Sequence, residues 1–121
     1  MAEKETLGII ERFNVAFNRH DVDEVMSLMT EDVVFESTGP APDGDRVKGS
    51  AAVRAYWEDL FRTNPNAHFD TEDIFAAGDR CTVRWRFTFD SERPEAGHVR
   101  GVDVFRVRDG RVAEKLSYVK G

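Results

Sequence analysis

His98–Gly110 reads HVRGVDVFRVRDG, and its alternation decides how the rest of the chain is arranged. Val99, Gly101, Asp103, Phe105 and Val107 fall on one side of an extended chain, while His98, Arg100, Val102, Val104 and Arg106 fall on the other. Asp109-Gly110 is a tight-hairpin signal, so Arg111–Val119 returns as a second strand. Asp103 sits in mid-strand on the Phe105 side, where a carboxylate is costly if that side is buried. It is the first candidate for a functional group.

Upstream, the period is again two. Phe69–Ala77, a Gly78-Asp79 turn and Arg80–Asp90 form a hairpin, and Asp90–Gly97 is a charged loop leading into His98. Within Arg80–Asp90, Val83, Trp85, Phe87 and Phe89 share one side, and Thr82, Arg84, Arg86 and Thr88 the other. Periodicity alone places the aromatic side in the core.

The first half of the chain is helical in pattern. Leu7, Ile10, Phe13 and Phe17 mark one face of a helix over about 4–19. Asp21 with Glu24 forms an Asp version of the capping box, so a short second helix begins there. Val33–Ser37 alternates as a strand, and Thr38–Gly49, with three glycines and two prolines, is a loop. Val53, Tyr56, Trp57, Leu60 and Phe61 give a third helix its apolar stripe from Ser50 until Asn64-Pro65 stops it. Helices followed by antiparallel strands predict an α+β domain over residues 1–121, its helices packed on one face of a curved sheet that encloses a pocket.

Composition narrows the function. A hydrophobic share of 40% and a charged share of 33% are ordinary for a folded globular protein. Seventeen basic against twenty-three acidic residues leave a net charge of −6, which argues against nucleic acid or an anionic membrane as partner. Cys81 is the single cysteine, so no internal disulfide forms, and MAEKETLG lacks a signal-peptide core; a cytoplasmic protein is expected. His20, His68 and His98 are dispersed without metal-ligand spacing, and no glycine-rich phosphate loop follows a strand, so neither a metal nor a cofactor is expected.

The phrases FNVAFNRHDVDEVMSLMTEDVVFES (13–37), GSAAVRAYW (49–57) and RGVDVFRVRDGRVAEKLSYV (100–119) resemble the SnoaL-like and ketosteroid-isomerase-like group of the nuclear transport factor 2 superfamily. The resemblance implies a cone-shaped fold with a deep pocket, commonly as a homodimer. It also implies where functional groups lie. Asp103 matches an aspartic acid that stabilises an oxyanion in ketosteroid isomerases, whereas Phe13 stands at their tyrosine position and Ser37 at their catalytic base. With two of three parts missing, isomerisation by that route is not expected. An epoxide-hydrolase-like Asp-Arg-Asp group fails as well: Arg84 matches its arginine, but Arg86 and Ser117 fall near the carboxylate positions.

What remains is a cofactor-independent acid–base enzyme of isomerase, cyclase or dehydratase type, acting on a small hydrophobic, polyketide- or steroid-like molecule. Asp103 is its catalytic group; Phe13, Phe17, Phe35 and Ser37 line the substrate site with Trp57, Phe61, Arg84 and Phe105. The alternative is a non-catalytic small-molecule-binding or dimerisation module of the same fold. For Asp103 the competing role is structural, paired with Arg84, Arg86 or Arg100. The resemblance also favours the opposite facing for Arg80–Asp90, with arginines toward the pocket and the aromatic stripe against a second subunit.

Overall fold

The computed structural model describes residues 2–89, 92–93 and 97–121. Much of the loop expected over Asp90–Gly97 therefore lies outside the described residues. The elements run α1 (Ala2–Asn18), α2 (Val22–Ser27), β1 (Met29–Glu36), β2 (Arg46–Lys48), α3 (Ser50–Thr63), β3 (His68–Ala77), β4 (Arg80–Thr88), β5 (His98–Arg108) and β6 (Arg111–Val119). Asp21 caps α2 by accepting from the Glu24 amide at 3.1 Å, as its spacing predicts. Asp109 and Gly110 both take positive φ, 53° and 76°, the backbone a two-residue hairpin demands.

Six strands form one curved, open sheet in the order β2-β1-β6-β5-β4-β3. It is mixed, not antiparallel throughout, because β1 runs parallel to β6 while every other pair is antiparallel. The helices cover its concave face. Ile10, Phe13 and Phe17 of α1 and Val53, Trp57 and Phe61 of α3 are buried against Phe35, Val83, Trp85 and Phe105. Two short features escape the sequence pattern: β1 begins at Met29 and not Val33, and β2 lies within the expected Thr38–Gly49 loop.

On β4 the periodicity holds and the facing inferred from resemblance does not. Cys81, Val83 and Trp85 are buried, and Phe87 packs against the same core, whereas Arg84 is exposed on the convex face 4.0 Å from Glu72; Phe89, expected in the same core row, lies past the end of β4 and is 45% exposed. Burying the stripe stabilises by about 1.5–3 kcal/mol per large side chain removed from water, more than an arginine row facing the same rings could offset.

A β-bulge sets the inward face of β6. Arg108 opposes Arg111 and Val107 opposes Val112, but Arg106 opposes Glu114, leaving Ala113 as an extra residue. Val112 and Ala113 are both buried, and beyond them the parity is reversed. Phe105 therefore faces Lys115, and Asp103 faces Ser117.

Candidate functional site

The bulge brings three polar side chains together inside the cone. Lys115 Nζ stands 3.2 Å from Asp103 Oδ2, and each side chain is only 7% exposed. The Lys115 ammonium also donates to Ser117 Oγ at 3.1 Å, and that hydroxyl donates to Asp103 Oδ1 at 2.6 Å. Both carboxylate oxygens are thus engaged, one by a cation and one by a neutral donor. The arginines considered from sequence as partners of Asp103 are engaged elsewhere: Arg84 and Arg100 associate with Glu72, and Arg86 reaches His98 Nδ1 at 3.3 Å.

Aromatic rings enclose the ammonium. Its nitrogen lies 4.9 Å from the Phe35 ring centroid, 5.4 Å from Trp57, 5.6 Å from Phe17 and 6.0 Å from Phe105. Ring faces attract a cation, so the cage and Asp103 together offset the loss of water around Lys115. Phe35 is the neighbour of Lys115 on β1 and Phe105 its neighbour on β5, so the central strand carries a lysine between two phenylalanines.

Two adjoining hollows meet at the pair. The larger, about 100 Å³, is walled by Phe35, Tyr56, Trp57 and Phe87 and reaches Asp103, Lys115 and Ser117. The smaller, about 20 Å³, touches Asp103 and Lys115 from the side of Phe13 and Val83, enough for roughly one water. Trp85 and Phe69 line both.

The structure groups most of the residues singled out from sequence. Asp103, Phe17, Phe35, Ser37 and Trp57 line a hollow, as does Phe13 on the small side. Phe61 and Phe105 stand behind the walls: Phe61 packs on Phe17 and His20, and Phe105 packs edge-on against Phe13. Arg84, on the convex face, is not part of the site, and its assignment there is corrected. The Ser37 hydroxyl is committed to the 38–45 loop, donating to the Gly39 carbonyl at 2.8 Å and accepting from the Asp45 amide at 2.9 Å. Lys115, Tyr56, Phe69, Trp85 and Phe87 complete the walls, and none of them stands out as a site residue in the sequence. Among the described residues no three His, Cys, Asp or Glu side chains are grouped to hold a metal, and no helix is long and apolar enough to cross a membrane.

Three helices on the hollow side of an open, cone-shaped mixed sheet define an α+β fold of the nuclear transport factor 2 type. Residues 10–115 match the SnoaL-like domain, and the chain belongs to that family. A structure from Mesorhizobium loti, described as an NTF2-like protein of unknown function, is 41% identical, with a TM-score of 0.86 over 100% of this chain and 95% of that one. A putative ketosteroid isomerase from Kribbella flavida shares the fold at 18% identity, with a TM-score of 0.82 over 98% of this chain and 80% of that one. A putative SnoaL-like polyketide cyclase from Jannaschia sp. does so at 21% identity, with a TM-score of 0.80 over 98% and 88%. No curated protein matches significantly.

Proposed function

We propose that the protein is a cofactor-independent acid–base enzyme acting on a small hydrophobic molecule held in the cone, with Asp103 as its proton-handling group. The carrying observation is the buried Asp103–Lys115 pair opening onto an aromatic hollow. The carboxylate reaches the hollow and has a hydrogen-bonded cation beside it, so a proton can pass between the pair and a molecule held there. Ser117 orients it, while Phe35, Trp57 and Phe17 select an apolar substrate body. The isomerase and cyclase descriptions of fold relatives fit this class of chemistry.

A homodimer and a cytoplasmic setting belong to the same proposal. The aromatic stripe of β4 no longer supports dimerisation, because it is core. Instead the convex face carries Phe75 and Tyr118, 58% and 54% exposed, around the half-buried Val102, Val104 and Leu116. A second copy would cover that surface.

The test is turnover. Wild type and Asp103→Asn are incubated with a panel of small apolar ketones, enones, lactones and epoxides, and products are read by mass spectrometry. Wild type is expected to convert at least one compound and Asp103→Asn none, with thermal shifts retained in both. Equal conversion by the variant would move the chemistry away from Asp103, and thermal shifts without conversion by either protein would identify a binding module.

A further inference from the structure

We infer that Lys115 captures carbonyl compounds covalently, so that the hollow is an imine-forming site for small, apolar aldehydes or ketones. This rests on the acid–base site described above and names its substrate class.

Lys115 is the amine that the fold isolates. The other lysines, Lys4, Lys48 and Lys120, are exposed, whereas Lys115 is buried between Phe35 and Phe105 with its nitrogen reaching the hollow. Two groups hold the nitrogen, Asp103 Oδ2 at 3.2 Å and Ser117 Oγ at 3.1 Å. An ammonium has three N–H donors, so one is left without an oxygen, among the rings.

Charge supplies the reason for chemistry. An apolar ligand that fills the hollow removes water from the pair, and in a drier setting separated charges are costly. The proton on Lys115 then has an acceptor 3.2 Å away. Its transfer leaves a neutral amine beside a neutral carboxylic acid; the freed lone pair first points at Asp103, and rotation about the Cε–Nζ bond turns it to the ligand. Lysines made nucleophilic by an apolar pocket act in this way.

The steps balance with no further reactant. The amine lone pair forms a C–N bond to the carbonyl carbon, and the C=O π pair moves onto oxygen. That oxygen takes the proton from Asp103 and one from nitrogen, then leaves as water as the nitrogen lone pair closes the C=N bond. The lysine ammonium, the aspartate carboxylate and the carbonyl compound thus become a lysine iminium, the same carboxylate and one water. The product iminium is again a cation beside a carboxylate. The rings at 4.9 to 6.0 Å and Asp103 therefore stabilise the end state as they stabilise the start.

Benzaldehyde and acetophenone, each with cyanoborohydride as trap, test the inference on the wild-type protein. The adduct is located by intact mass and peptide mapping. A single adduct is expected on Lys115 at least tenfold ahead of Lys4, Lys48 and Lys120, which serve as internal controls. Asp103→Asn is expected to slow that adduct tenfold or more. Adducts confined to the exposed lysines, with Lys115 unmodified, would overturn the inference while leaving Asp103-dependent turnover untouched. Adduct on Lys115 at the same rate in wild type and Asp103→Asn would support capture and overturn the proton-handling role of Asp103.

Discussion

Asp103 and Lys115 form an ion pair inside the cone, 3.2 Å apart and each side chain 7% exposed. Solvent screens them little, so the two charges stand or fall together. Removing one partner strands the other, which costs about 3–5 kcal/mol, whereas removing both restores an apolar interior. Asp103→Asn and Lys115→Met are each expected to lower unfolding free energy by that order, and the double variant by much less than their sum. Urea denaturation of all four proteins gives the coupling directly. Additive losses would show that the two charges are separately solvated.

Trp85 and Gly101 face each other across β4 and β5, and the indole occupies the space that a side chain on Gly101 would need. A Cβ there would stand 2.6 Å from Trp85 Cη2 and 2.2 Å from the Tyr118 carbonyl oxygen. Both hollows share Trp85 as a wall, so the glycine shapes the site without touching it. Gly101→Ala is expected to cost about 1–3 kcal/mol through overpacking and to change the near-ultraviolet tryptophan signal. An unchanged melting temperature and spectrum would show that the sheet yields at this point.

Cys81 gives a pH dependence with a definite sign. Burial pushes its thiol up from 9.0 to about 11, with Glu11 adding to the effect, because the thiolate is poorly solvated inside. The folded value lies above the unfolded one, so this contribution is fully present below pH 9 and is lost as pH rises through 11. The loss is on the order of 2–3 kcal/mol. Cys81→Ala is expected to flatten the fall in stability between pH 9 and 11, measured by denaturant unfolding at each pH. In wild type the thiol should stay inert to iodoacetamide at about pH 8 until the chain unfolds, since the reactive thiolate is scarce there. Modification of the native protein at the unfolded rate would contradict its burial.

Where local chemistry decides, the sequence is legible: the Asp21 cap, the Asp109-Gly110 turn and the inward Val83, Trp85 and Phe87 all follow from residue type and period. Asp103 is visible for the same reason, as a carboxylate in an otherwise apolar row. Lys115 is not, and the bulge explains why. An unbroken two-residue hairpin pairs Arg108 with Arg111 and continues to Asp103 opposite Leu116, which turns Lys115 to solvent among Arg111 and Ala113. One extra residue reverses that parity, and periodicity carries no mark of it. Arg84 misleads in the opposite way: likeness to other chains gives it a role that the burial of its strand neighbours forbids.

Ala113 is the residue that this bulge absorbs. Its deletion leaves Val107 opposite Val112, Arg106 opposite Glu114 and Phe105 opposite Lys115, so the ladder closes with the side chains beyond it on the faces they already occupy. Lys115 is expected to stay in the ring cage and to acetylate far more slowly than Lys48 or Lys120, as in wild type. Asp103 then keeps its cation, so Asp103→Asn should cost about 3–5 kcal/mol in the deletion background as it does without the deletion. Acetylation is read by peptide mapping on folded protein, and stability by urea denaturation. A Lys115 that acetylates as fast as the exposed lysines after the deletion would mean that the bulge itself, and not the pairing with Phe35 and Phe105, holds it inward.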